Sequence, residues 1–325
     1  MAPKVSVLVA VYNAEAFLPR CLDSLIRQTL SDIQIICIDD ASTDHSLRIL
    51  NDYAVRDLRI EVIRLPENGG QAHARNVGLQ QAKGDIICMM DADDWLSADA
   101  LERMLATFDE TTDCVLFDLR YVYPDREERF PLPAFDFMTG EEAFRLSLTW
   151  KVHGLYGVRS EIHLQHPFDD TCRSYSDDNT TRIHFLCARR VRCCDGIYYY
   201  RQHGGSVTHQ VSVRRFDYLR ANESMRRQMM SLGISAMLLG EYENHRWLNL
   251  VGVYMFYHVH GHQLSAVERE YGLEELHRVW ATIDRKALKQ EMTAKFGYRP
   301  CQSWRLFRLQ EWLYFTLRGL LGKNY

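Results

Sequence analysis

"GDIICMMDADDWL", residues Gly84 to Leu96, drives a run of apolar side chains into three carboxylates, Asp91, Asp93 and Asp94, with only Ala92 among them. A short apolar run with polar ends reads as a strand buried on both faces. Working outward, the same unit recurs upstream. "KVSVLVAVYN" (4–13), "IQIICIDDAS" (33–42) and "RIEVIRLPEN" (59–68) read as strands, and each precedes a segment with helical spacing: 14–30, 44–57 and 70–84. In 14–30 the apolar positions are Phe17, Leu18, Cys21, Leu22, Leu25 and Ile26. Strands alternating with helices predict an α/β fold with a parallel sheet covered on both faces. Ligands of such sheets bind beyond the carboxyl ends of the strands. There the chain places Tyr12-Asn13, Asp39-Asp40 and the 91–94 acids.

Carboxylates crowded together repel, so the cluster calls for a cation or for water. Hard divalent ions take carboxylate oxygens and share their remaining positions with substrate phosphates. The plainer alternative has Asp93 and Asp94 capping a helix that starts near Ser97, with Asp91 solvated. Two familiar phosphate devices are missing: no G-x-x-x-x-G-K-[ST] loop exists, and no G-x-G-x-x-G follows the first strand.

The whole chain sets wider bounds. Its 325 residues, 25% charged and 46% hydrophobic, are enough for a substantial core in one large domain or two smaller ones. A formal charge of −4 gives no general reason to expect nucleic acid as a partner. Nine cysteines without a C-x-x-C pair read as reduced core thiols of a cytoplasmic protein. The opening "MAPKVSVLVAVYN" lacks the layout of a signal peptide, and the longest apolar candidate, "LNLVGVYMFYHVHG" (248–261), is interrupted by His258 and His260.

Five segments in order carry a resemblance: 5–30, 35–46, 67–94, "SYSDDNTTRIHF" (174–185) and "YYYRQHGGSVTH" (198–209). Together they resemble the successive motifs of family 2 glycosyltransferases. The resemblance implies a GT-A (Rossmann-like) fold, a mostly parallel sheet flanked by helices. It implies a catalytic domain over 1–209, with a nucleotide-sugar half to about 96 and an acceptor half over 97–209. A mainly helical region follows over 210–325.

Site residues carry over by position. Ala10, Tyr12 and Asp40 match positions that hold the base and ribose, and Arg75 matches an arginine near the nucleotide. Asp91 and Asp93 match the D-x-D pair that contacts the ribose and binds Mn²⁺ or Mg²⁺ on the diphosphate. Asp178 matches the catalytic base, and Asp177 stands where the family has glutamate. Arg201 is matched to phosphate or acceptor, and His209 to a histidine that reaches the metal or diphosphate. Trp150 has two readings, stacking on an acceptor sugar or burial in the core, burial being the plainer.

The resemblance implies an inverting transferase using a nucleoside diphosphate sugar, with UDP the first choice, and a hydroxyl of a surface polysaccharide or lipid-linked glycan precursor. Two rivals stay open: a sugar-nucleotide pyrophosphorylase, and an inactive membrane-associated assembly subunit. The last stretch, 303–323, places Leu306, Leu309, Leu313, Leu317, Leu320 and Leu321 on one side of a helical wheel. Arg305, Arg308, Glu311 and Arg318 take the other side, with Trp312 at the margin. The leucine face suits peripheral contact with the inner face of a membrane or docking on another helix of the chain, docking being the plainer reading.

Overall fold

The computed structural model describes residues 3–172, 175, 177–202 and 211–323. The chain divides into two compact units, Met1–Arg173 with Thr180–Ser206, and Ser174–Asn179 with Val207–Tyr325.

The first unit opens with β1 (Val5–Val11), α1 (Leu18–Ile26), β2 (Ile33–Asp39), α2 (Ser46–Arg56), β3 (Ile60–Arg64), α3 (Gln71–Leu79) and β4 (Ile86–Asp91). It continues with β5 (Trp95–Leu96), α4 (Ala100–Thr107), β6 (Cys114–Val122), β7 (Glu127–Arg129), β8 (Met138–Thr139), α5 (Gly140–Ser147), β9 (Tyr156–Arg159) and α6 (Ser160–Gln165). Next come α7 (Asp177–Cys187), whose first three residues belong to the second unit, and β10 (Arg190–Arg201).

The sheet runs β3-β2-β1-β4-β9-β6-β10-β5, with β7 on β6 and β8 on β10. Its first four strands are parallel, as the alternating pattern predicts. β6 and β10 pair in parallel as well, in keeping with a mostly parallel sheet. β9 lies antiparallel between β4 and β6, so the sheet is mixed. The apolar runs are strands buried on both faces: all seven residues of β2 and six of seven in β1 are buried.

Gly84 makes the entry to β4 possible. A Cβ there would lie 2.5 Å from the Ser6 nitrogen and 2.7 Å from the Val5 carbonyl carbon, too close for any side chain. The helix expected from Ala14 begins only at Leu18. The Phe17 and Leu18 amides both bond to the Ala14 carbonyl in a turn, and Pro19, its φ fixed, sits in the first helical turn. All nine thiols are free, six of them buried. Trp150 is 54% exposed at a left-handed φ of 57°, so the core reading of that residue fails. Its backbone closes a turn after α5, bonding to the Ser147 carbonyl, and turns the ring outward.

The second unit is helical: α8 (Asp217–Ser231), α9 (Ala236–His260), α10 (Ala266–Thr282), α11 (Gln290–Thr293) and α12 (Trp304–Leu320). Its core gathers Phe216, Trp247, Leu250, Leu276, Trp280, Phe307 and Phe315. Arg246 and Glu243 are buried side by side on α9 at 2.9 Å. Glu243 also accepts the Asp284 amide and Arg246 donates to Thr282, partners that a buried ion pair needs, while Arg246 Nε has none among the described residues. Among the described residues no helix is long and apolar enough to cross a membrane.

The leucine face of α12 does not dock on this unit. Phe307, Glu311 and Phe315 are the buried positions, while Leu306, Leu309, Leu313, Leu317 and Leu320 are 41–80% exposed. Aromatic stacking decides which side turns inward: Phe307 meets Trp247 and Tyr254 at 5.6 and 5.7 Å.

Candidate active site

Strand register builds the rim. Ala10 pairs with Ile38 on one side and with Asp91 on the other, and Val11 pairs with Asp39. The carboxyl ends of β1, β2 and β4 therefore finish level, and the residues just beyond them share one edge of the sheet. Tyr12 is 52% exposed there. Asn13 and Ala41 adopt left-handed φ of 49° and 57°, and Asn13 accepts the Thr43 amide while its own amide donates to Ser42 Oγ. Backbone held in this region stores strain and persists where surrounding bonds fix it.

Asp40 is buried. Its two carboxylate oxygens accept the Gly69 and Gly70 amides at 2.8 and 2.9 Å, fastening the "ENGG" loop to the end of β2. Gly70 has φ 90°, which lets the chain turn straight into α3. Its neighbour Asp39 is fully buried with Oδ2 lacking a partner among the described residues.

α3 then aims its side chains at the acids. Arg75, 3% exposed, meets Asp91 Oδ1 at 2.5 Å, and Gln71 Nε2 donates to the same oxygen at 2.7 Å. Asn76, next in the "ARN" run, makes a reciprocal pair of bonds with the Phe168 backbone and so holds the helix in place. One carboxylate oxygen from each of Asp91, Asp93 and Asp94 lies within 4.8 Å of the other two.

The three acids are not equivalent. Asp94 is 1% exposed and accepts two bonds, from Tyr198 Oη at 2.9 Å and from the Arg201 amide at 2.8 Å. Both partners present a hydrogen to it, the arrangement of an ionised carboxylate. Burial, with Asp91 and Asp93 alongside, nevertheless pushes its pKa up to about 9. A divalent cation at this cluster removes that conflict, and an all-oxygen donor set suits Mg²⁺ or Mn²⁺. The residues present therefore fit the metal. Asp93 and Asp94 do not cap the next helix, because α4 starts at Ala100 with Asp99 before it.

Arg201 braces the acid loop. Besides its amide bond to Asp94, its Nε donates to the Asp93 carbonyl at 2.9 Å. Its guanidinium lies 4.8 Å from the Trp95 ring centre, and that of Arg20 lies over the same ring at 3.4 Å. Asp177 and Asp178 occupy the first turn of α7, both partly buried, where a helix N-terminus favours negative charge. Asn179 beside them is buried and donates to the Ala221 carbonyl. His209 lies outside the described residues.

Six of the residues expected from sequence thus share one edge: Ala10, Tyr12, Asp40, Arg75 and the Asp91–Asp93 pair, which the Arg75 bond ties to α3. Gln71 and Tyr198 escaped sequence reading. Asp94 belongs to the cluster by sequence, but nothing local marks it as the buried member. The Tyr198 hydroxyl, which takes the Asp91 amide and donates to Asp94, comes from more than a hundred residues away.

Comparison with known proteins bears on the family and the fold. Residues 6–167 match the family model for glycosyl transferase family 2. The chain is 35% identical to the uncharacterized glycosyltransferase EpsJ of Bacillus subtilis (strain 168) over 64% of each chain. Thus the chain spans about two thirds of that relative's length. S. aureus TarS 1-349 in complex with UDP-GlcNAc superposes with a TM-score of 0.76 at 20% identity, covering 98% of this chain and 92% of that one. The mannosyltransferase PcManGT of Pyrobaculum calidifontis, solved with GDP-Man and Mn²⁺, superposes at 0.55 with 17% identity, covering 99% and 88%. The rim, the acid cluster and these likenesses together place the chain in glycosyl transferase family 2, with the GT-A fold.

Proposed function

We propose that the chain is an inverting, metal-dependent hexosyltransferase. It moves a sugar from a nucleoside diphosphate, UDP first among them, to a hydroxyl of a surface polysaccharide or its lipid-linked precursor, at the cytoplasmic face of the membrane. The observation that carries this reading is the shared rim, where an exposed aromatic ring, a buried Asp40 and an arginine-tied acid cluster stand at level strand ends. The likeness to a protein that was crystallised with UDP-GlcNAc supports the choice of nucleotide.

In this reading Tyr12 stacks on the base, beside Ala10, and Asp40 accepts the imide hydrogen while still holding the Gly69–Gly70 turn. Arg75 keeps Asp91 turned toward the ribose and diphosphate. A divalent ion held by Asp91 and Asp93, with His209 as a further ligand, would neutralise the leaving diphosphate. Asp178 takes the proton of the acceptor hydroxyl as that oxygen bonds to the anomeric carbon and the carbon–phosphate oxygen bond breaks. Asp177 orients the acceptor, and Arg201 holds the acid loop in place for phosphate. One base and one displacement invert the configuration.

The test is UDP release from a panel of UDP-sugars with glycan acceptors, using wild type and Asp178→Asn. The variant should bind donor normally and turn over at least roughly a hundredfold more slowly, the scale of general-base catalysis. Near-normal turnover would remove Asp178 from the mechanism.

A further inference from the structure

α12 exposes an apolar stripe that nothing in its own unit covers. Leu306, Leu309, Leu313, Leu317 and Leu320 recur every three or four residues and are 41–80% exposed, on the side of the helix opposite buried Phe307, Glu311 and Phe315. At 1.5 Å per residue the stripe is about 21 Å long. Single exposed leucines need no explanation, but a continuous row on one helix does.

One edge of the stripe is cationic. Arg305, Arg308 and Trp312 flank it, and with Tyr254 and Leu309 they line an open cleft of about 290 Å³. Leu309 belongs to both the stripe and the cleft, so the two surfaces are continuous. Neither Arg305 nor Arg308 forms an ion pair among the described residues. The only acid of α12, Glu311, is fully buried and gives this surface no compensating charge. The patch is thus locally positive in a chain of net charge −4.

Apolar row, aromatic edge and unpaired arginines together match one occupant, the headgroup region of an anionic bilayer. A second copy of the chain fits less well. A two-fold contact through this face would bring the same arginines together with no exposed acid on the helix to meet them.

We propose that α12 is a membrane-docking helix: its leucine stripe enters the interface of an anionic bilayer, and the Arg305–Arg308 cleft holds a phospholipid headgroup. The helix lies in the plane of the surface, since it is not apolar enough to span it.

The experiment is co-sedimentation of the full chain with vesicles of phosphatidylcholine, with and without phosphatidylglycerol. Three proteins are compared: wild type, L313S/L317S and R305Q/R308Q. All four positions are exposed, so melting temperature and UDP binding should be unchanged. Wild type should sediment with phosphatidylglycerol vesicles. The leucine variant should bind them at least roughly tenfold more weakly. The arginine variant should lose about fivefold per charge, and only on the anionic vesicles.

The proposal is overturned if wild type ignores anionic vesicles at low salt, or if the leucine variant binds as wild type does. Self-association that depends on the leucines, seen by sedimentation velocity without vesicle binding, would also overturn it and assign the face to a second copy. UDP binding is measured on the same samples, so a failure here stays separate from a failure of the transferase reading.

Discussion

Replacing Asp94 by asparagine should remove a slope from the pH dependence of stability. Asp94 is buried among two other acids, and its folded-state pKa is pushed up to about 9. The unfolded value is near ~4. The folded chain therefore holds a proton that the unfolded chain has released across the interval between them. Stability carried by that proton is complete below the lower value and is lost as pH rises through the upper one. Each pH unit inside the interval removes about 1.4 kcal/mol for one proton. In the window of about pH 6.5 to 8 the buried histidines and thiols contribute as well, equally in both proteins, so the readout is the difference between the two curves. Across that window metal-free wild type should lose about 2 kcal/mol relative to Asp94→Asn, seen as a relative fall of roughly 4–8 °C in melting temperature. Thermal unfolding followed by circular dichroism in chelator-treated buffer measures this directly. Asp94→Asn keeps the shape of the acid but cannot titrate, so its melting temperature should carry only the slope that the histidines and thiols give both proteins. An equal slope in both proteins would refute the reasoning.

Two other outcomes follow from buried groups. Burial lowers the pKa of His153 and His163 to about 4, and that of His184 further; His184 sits between Tyr156 Oη at 2.7 Å and His163 Nδ1 at 3.0 Å. Folded values below the unfolded ~6.5 mean that stability is present above that pH and is lost as pH falls toward about 4. Melting temperature should drop steeply there, and a flat acid limb would show that the cluster takes up protons while folded. Gly84→Ala should cost about 1–3 kcal/mol in urea unfolding, because the new methyl meets the β1 backbone rather than a movable side chain. An unchanged midpoint would mean that β1 can shift.

Sequence reached the first four strands because their signals are local. Fully buried parallel strands leave unbroken apolar runs, and each run here ends at its own polar residues, so β1, β2 and β4 announced both the sheet and its rim. The inequality among the three acids was not legible. It depends on Tyr198 and the Arg201 amide, brought in from more than a hundred residues away by β10. Arg75 could be matched by motif, yet its bond to Asp91 needed the angle of α3 against β4. β9 slipped through because four residues carry too little periodicity to reveal direction. The helical wheel of 303–323 identified an apolar face correctly, but a wheel cannot say what covers that face. Aromatic packing of Phe307 and Phe315 fixed the rotation instead.

The central claim is that the acid cluster binds a divalent ion which in turn holds the nucleotide diphosphate. Calorimetric titration of UDP into wild type and Asp93→Ala, each with and without Mn²⁺, tests it most directly. The account predicts that Mn²⁺ tightens UDP binding to wild type by about tenfold or more, at least 1.4 kcal/mol, and leaves binding to Asp93→Ala unchanged. Equal UDP affinity in all four titrations would contradict it.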